Sequence, residues 1–111
     1  MRIFKDKEFD RDWTLFLDRD GTINKRLIDA YVKEVSEFEF LPGALEAMQL
    51  FNEHFKYTIV VTNQQGIGKE LMTHDELRDV HVHMHKKVNE FGASIDEILY
   101  CPHLALSLIH I

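Results

Sequence analysis

Leu15-Phe16-Leu17-Asp18-Arg19-Asp20-Gly21-Thr22 is the stretch whose reading decides the fold. Three apolar residues in a row suggest a short buried strand, and the strand runs into two carboxylates one residue apart. Side chains alternate along a strand, so Asp18 and Asp20 share a side and Arg19 points away. Gly21 lets the backbone turn tightly and lets a ligand approach closely. Two crowded carboxylates repel unless a cation or a shared proton compensates. A hard divalent cation with oxygen ligands, Mg²⁺ above all, meets that need. The competing reading is a solvated strand-to-loop turn, because Asp and Gly are ordinary turn residues. A calcium loop is disfavoured: counted from Asp18, its bidentate Glu position is held by Asp29.

Working outward, Tyr57 to Val61 is a second apolar, β-branched run, and it leads into Thr62-Asn63-Gln64-Gln65-Gly66. Ile95 to Tyr100 gives a third strand. Between them lie two helical patterns. Pro42 suits a first helical turn, followed by Ala44, Leu45, Met48 and Phe51 or Phe55 at helical spacing. Thr73-His74-Asp75-Glu76 is a capping box, and Leu77, Val80, His81, Met84, Val88 and Phe91 then form one stripe that Gly92 stops. Met1 to Asp12 is a charged lead-in, and Glu37 to Phe40 a short extended piece. The alternation β-α-β-α-β predicts an α/β fold with a parallel sheet and right-handed crossovers. Ligands of such sheets bind at the C-terminal strand edge, where Asp18, Asp20 and Thr62 all fall.

The strings FLDRDGTIN, FEFLPGALEA, VVTNQQGIGK, LMT and YCPH resemble the histidinol-phosphate and heptose-bisphosphate phosphatase group of the haloacid dehalogenase superfamily. The resemblance runs from about Trp13 to His103. It implies a Rossmann-like sheet with flanking helices, in which Asp18 is the nucleophile and Asp20 the general acid/base. It implies that Thr62 bonds the transferring phosphoryl group, that Asp18 and Asp20 hold Mg²⁺, and that the reaction passes through an aspartyl-phosphate. Asn63, Gln64, Asn24 and Arg26 stand where they could contact substrate oxygens. Ile23 to Ser36 matches the family's flap and is too short for a large cap domain. Cys101 and His103 match the first half of a structural Zn²⁺ site, but two ligands cannot close a tetrahedral centre.

The family pattern continues with a motif III Lys, one or two motif IV Asp and further zinc ligands, none of which follows Leu104. The resemblance therefore implies the N-terminal half of a hydrolase domain over residues 1–105, truncated to about three core strands. Residues 106–111 are expected to be a non-native tail. Such a half is expected to be inactive by itself. The complete protein is expected to be a monomeric phosphatase for a small phosphorylated metabolite, with a heptose bisphosphate as the leading substrate and histidinol phosphate as its rival. A non-catalytic protein of the same fold, binding a phosphorylated ligand or a partner, is the reading from another class.

A formal net charge of −6 leaves no electrostatic footprint for nucleic acid, and Lys86-Lys87 reads as a solvated helix face. A single cysteine excludes an internal disulfide and fits a reducing compartment. The opening MRIFKDKEFDRDW is too charged for a signal peptide, and no apolar run nears the ~20 residues that span a bilayer. These features point to a cytoplasmic protein without membrane contact. His81 and His85 are four apart and could share a helix face, but without a third ligand nearby they read as buried or solvated residues rather than metal ligands.

Overall fold

In the computed structural model, which describes residues 12–28 and 30–102, the three apolar runs form β1 (Thr14–Leu17), β2 (Tyr57–Asn63) and β3 (Glu97–Cys101). They make one parallel sheet in the order β1-β2-β3. Thr14 lies opposite Tyr57 and Leu17 opposite Val60, while Ile59 lies opposite Glu97 and Asn63 opposite Cys101. That register puts the residues following β1 and β2 at one edge of the sheet. Residues 1–11 and 103–111 lie outside the described residues, so the expected lead-in, His103 and the expected tail are not placed.

Helix α1 (Ala44–His54) begins two residues after Pro42. The Ala44 N–H donates to the Leu41 carbonyl at 3.0 Å, and Gly43 has φ +81°. Pro42 and Gly43 are thus the central residues of a tight turn that feeds the helix, an order that suits fixed φ first and positive φ second. Helix α3 (His74–Phe91) starts and stops where the sequence indicates. The Thr73 hydroxyl accepts from the Glu76 N–H at 3.0 Å, and the Glu76 carboxylate accepts from the Thr73 N–H at 2.8 Å. Gly92 ends the helix in the left-handed conformation.

Two short elements were not legible in the apolar pattern. One is α2 (Gln65–Gly68), a single turn directly after β2. The other is a 3₁₀ turn at Val35–Glu37, closed by the Glu37 carboxylate accepting from the Lys33 and Glu34 N–H groups. The extended piece expected at Glu37 to Phe40 survives only as a bridge between Phe40 and Asn24. Both turns are too brief for periodicity to mark: backbone bonds from the Ile67 and Lys69 N–H groups to the Gln64 and Gln65 carbonyls close α2, and only the 3₁₀ turn uses a side chain.

The sheet has one covered and one open face. Thr58, Val60 and Thr62 are buried, and the core around Val60 takes Met48 from α1 and Val80, Met84 and Val88 from α3. Ile23, Val32 and Phe38, from the segment between β1 and α1, complete that core. The stripe read from the sequence is buried throughout except at Phe91. The Asn52 side chain of α1 accepts from the Ser94 N–H and donates to its carbonyl, fixing the entry to β3. On the other face Phe16, Tyr57, Val61 and Leu99 are exposed, Phe16 by 61 %. Contiguous apolar surface of this kind promotes association, and β1 is an edge strand of the described sheet. Phe16→Lys is expected to lower light scattering by the purified chain at equal concentration, with the unfolding midpoint little changed. Unaltered scattering would show that this face does not drive association.

Candidate active site

After Leu17 the chain leaves the strand and coils. The Arg19 carbonyl accepts from the N–H groups of Thr22, Ile23 and Asn24 at 3.1, 2.8 and 3.3 Å. Gly21 has φ +85°, a conformation that other residues adopt at a cost, and its N–H donates to the Asn24 carbonyl at 2.8 Å. The coil sends three consecutive side chains to different places. Asp18 is exposed, Arg19 is fully buried and Asp20 lies between. The Arg19 N–H also donates to Asp18 Oδ1 at 2.9 Å, which holds that carboxylate at the strand end.

Arg19 turns inward and then grips its neighbour. Its Nη2 donates to Asp20 Oδ1 at 2.7 Å and its Nε to the same oxygen at 3.3 Å. Its Nη1 lies 3.0 Å from His81 Nε2 of α3, and its guanidinium sits 5.9 Å from the centre of the Phe38 ring. Asp20 Oδ1 accepts also from Asn24 Nδ2 at 3.0 Å. Asp20 Oδ2 accepts from Gln64 Nε2 at 2.9 Å, and the same Gln64 nitrogen donates to Thr62 Oγ1 at 2.8 Å. Burial opposes ionisation of Asp20, but the Arg19 charge and hydrogen bonds from Arg19, Asn24 and Gln64 outweigh it and hold its pKa below the ordinary value.

Asp18 and Asp20 open into a cleft of about 880 Å³ whose walls carry Arg26, Asn63, Lys69 and Tyr31. The Lys69 ammonium also sits over the Tyr31 ring, 5.9 Å from its centre. A Cβ on Gly66 would lie 2.8 Å from Tyr31, so only glycine lets α2 and the flap approach this closely. A second groove of about 950 Å³, between α3 and β3, includes neither Asp18 nor Asp20.

The placement corrects several expectations. Arg26 and Asn63 line the cleft. Asn24 and Gln64 do not: both are almost fully buried and spend their amides on Asp20, so they support the site and are not free for substrate oxygens. Thr62 is also buried, with its hydroxyl oxygen covered by Gln64, and reaches Asp20 through that amide. His81 and His85 both line the second groove, His81 buried against Arg19 and His85 exposed and bonded to Asn89, in keeping with the reading of one shared helix face. Cys101 is a free thiol, and no group of three His, Cys, Asp or Glu that could hold a metal occurs among the described residues.

Sequence reasoning missed Arg19, His81 and Lys69. A cation between two carboxylates, turned away from their shared side by alternation, was the available signal for Arg19. A histidine within an otherwise apolar stripe was the signal for His81. Lys69 had none, because only α2 swings it toward the cleft.

The carboxylate pair suits a hard cation. Asp18 is exposed and its described side-chain bond engages Oδ1 only, and Asp20 Oδ2 accepts one described bond. Mg²⁺ takes one or two carboxylates and keeps waters or substrate oxygens for the rest, so two carboxylates lining one open cleft are a donor set that fits it.

His81 has a titration consequence. Burial first and the Arg19 charge second push its pKa from 6.5 down to about 4, against an opposing pull from Asp20. From pH 6.5 down to about 4 the unfolded chain takes up a proton that the folded chain refuses, so stability falls with pH across that window. Asp20 acts at lower pH: its depressed pKa adds stability above 3.8 that is lost as pH falls further. Urea midpoints of the parent are expected to decline from pH 6.5 to 4, and those of His81→Gln to decline less. Equal slopes would show that His81 is not the titrating group.

Comparison with known proteins places this arrangement. No family model matches the chain. Over 91 residues it is 42 % identical to D-glycero-alpha-D-manno-heptose-1,7-bisphosphate 7-phosphatase of Mycobacterium tuberculosis, covering 82 % of this chain and 48 % of that protein. It is 36 % identical over 88 residues to D-glycero-beta-D-manno-heptose-1,7-bisphosphate 7-phosphatase of Rhodopseudomonas palustris, covering 79 % and 48 %. The solved D,D-heptose 1,7-bisphosphate phosphatase of B. bronchiseptica, complexed with magnesium and phosphate, superposes with a TM-score of 0.77 at 34 % identity, over 83 % of this chain and 51 % of that one. The chain spans about half the length of the curated relatives it matches. The DRDGT turn at the end of β1 and this set of relatives make the chain similar, over about half of their length, to the heptose-bisphosphate phosphatases of the haloacid dehalogenase type.

Proposed function

We propose that this chain carries the nucleophile and the acid/base of a phosphomonoester hydrolase acting on a heptose bisphosphate. Residues 1–105 then form the N-terminal half of the hydrolase domain, and the full-length protein is the active form. The observation that carries the reading is the division of labour between two adjacent carboxylates. Asp18 is exposed at the strand end, while Asp20 is held by three side chains. One is free to react, and the other is fixed in place beside it.

In the first step an Asp18 oxygen attacks phosphorus and the bond from phosphorus to the sugar oxygen breaks. The departing oxygen takes its proton from Asp20. In the second step water attacks the aspartyl-phosphate, Asp20 takes the water's proton, and the bond from phosphorus to Asp18 breaks to release phosphate. Asp20 is ionised at rest, which suits the second step. A phosphate dianion brought beside it raises its pKa by like-charge repulsion, so proton uptake accompanies substrate binding and prepares the first. Asp18 and Asp20 are the residues that would hold Mg²⁺, which when bound would supply neutralisation of the phosphoryl charge. Arg26, Lys69 and Asn63 offer donors to the remaining substrate oxygens from the cleft wall. Thr62 supports Gln64 and meets a phosphoryl oxygen only if that amide moves aside.

Relatives named for both the alpha and the beta heptose bisphosphate support this substrate class over histidinol phosphate. The fold and the donor set are equally compatible with a cytoplasmic, monomeric protein, and no described helix is long and apolar enough to cross a membrane. In the full-length protein, Asp18→Asn is expected to lower phosphate release from heptose 1,7-bisphosphate by at least about 10³-fold, since the amide is no nucleophile. Asp20→Asn is expected to lose about 10²- to 10⁴-fold in activity and also to lower the unfolding midpoint, because it leaves the buried Arg19 charge uncompensated. Asp18→Asn activity within tenfold of the parent would remove the nucleophile assignment.

A further inference from the structure

His81 is the one histidine of α3 that is buried, and it lies among the apolar positions Leu77, Val80, Met84 and Val88. A polar ring there is costly unless bonded, and its described bond is to Arg19. The guanidinium has five N–H donors and no acceptor, and it stays charged. The 3.0 Å contact therefore requires His81 Nε2 to accept, which fixes a neutral ring with its proton on Nδ1. Two of the remaining Arg19 donors, Nε and Nη2, both reach Asp20 Oδ1.

The guanidinium is a flat, rigid fork. Holding one prong on a helix fixes the direction of the opposite edge. Phe38 packs beside the guanidinium and limits its tilt. Asp20 Oδ1 is thereby pinned on the interior side by Arg19 and Asn24, which leaves Oδ2 to face Gln64 and the cleft. Without the His81 prong the fork could pivot about its stem, and the carboxylate plane would turn with it.

We propose that Arg19 and His81 are a positioning pair that orients the Asp20 carboxylate for proton transfer, so that α3 contributes to the reaction through a contact 62 residues away in the chain. The proposal rests on Asp20 being the acid/base. Neither residue touches substrate. Both act through the direction they impose on Asp20.

The test compares His81→Leu, which removes the acceptor, with His81→Gln, which keeps one. In the full-length protein kcat/KM is measured on an alkyl phosphate, whose leaving oxygen needs a proton, and on an aryl phosphate with an acidic leaving group, which needs none. A displaced acid forfeits part of the 10²- to 10⁴-fold worth of proton transfer, so His81→Leu is expected to lose about tenfold more on the alkyl than on the aryl substrate. His81→Gln is expected to recover most of that difference. Equal losses on both substrates, tracking a fall in melting temperature, would reduce His81 to a packing residue and overturn the proposal. So would an unchanged ratio.

A second readout needs no turnover. In the isotope-labelled 111-residue chain, the Arg19 Nη protons are expected to give separate, slowly exchanging NMR signals in the parent and His81→Gln, and one averaged signal in His81→Leu. Averaged signals in the parent would overturn the pair whatever the activity. A parent that releases no phosphate from any phosphomonoester, but keeps the separate signals, would instead defeat the phosphatase reading and leave the pair standing.

Discussion

The ion pair between Arg19 and Asp20 is the interaction on which the rest of the site depends. Removing a guanidinium from water costs several kcal/mol, and that cost is recovered only with good geometry and satisfied hydrogen bonds. Here Arg19 is fully buried, and its described bonds go to one carboxylate oxygen and one imidazole. The pair sets the course of the chain. With Arg19 drawn inward, the two flanking carboxylates must emerge on the cleft side. The Arg19 carbonyl, tied to three successive N–H groups, then prevents the loop from unwinding. Losing one partner would leave an uncompensated buried charge, which typically costs 3–5 kcal/mol. Pairing of this kind is weak support for stability by itself, so its role is better explained by the orientation it imposes on Asp20.

Each element of the fold supplies one part of that arrangement. β1 delivers Asp18 and Asp20 to the sheet edge. β2 runs beside it in parallel register and delivers Thr62 and Asn63, with Gln64 directly after the strand. α2 brings Lys69 to the cleft wall, and Gly66 lets it lie against the flap. α3 presents His81 to Arg19 from beneath. The hydrogen-bonded network joins three segments that are far apart in sequence, around residues 19–24, 62–64 and 81, through one or two hydrogen bonds per link. Mutational effects within it should therefore be strongly non-additive.

The strands, α1 and α3 were legible because each has a long enough apolar period or a specific cap. Thr73 and Glu76 marked the start of α3 and Gly92 its end, and the structure keeps both. Asp18 and Asp20 were legible from spacing alone. The roles of Asn24 and Gln64 were not. Both follow the strand ends at positions where a polar residue looks solvent-facing, and only the tertiary fold reveals that they are buried against Asp20. Lys69 was invisible for a related reason, since a four-residue helical turn has no periodicity to read. Strand alternation turned Arg19 away from the side shared by Asp18 and Asp20. What the alternation could not show is that a long side chain pointing away can curl back onto its neighbour.

The most direct test of the whole account is chemical trapping on the full-length protein during turnover of a heptose bisphosphate. Borohydride reduces an aspartyl-phosphate to homoserine, and the modified position can be read by peptide mass spectrometry. The account predicts homoserine at position 18, absent when substrate is omitted and absent in Asp18→Asn. Trapping at any other carboxylate, or phosphate release with no trapped residue and no loss in Asp18→Asn, would contradict it.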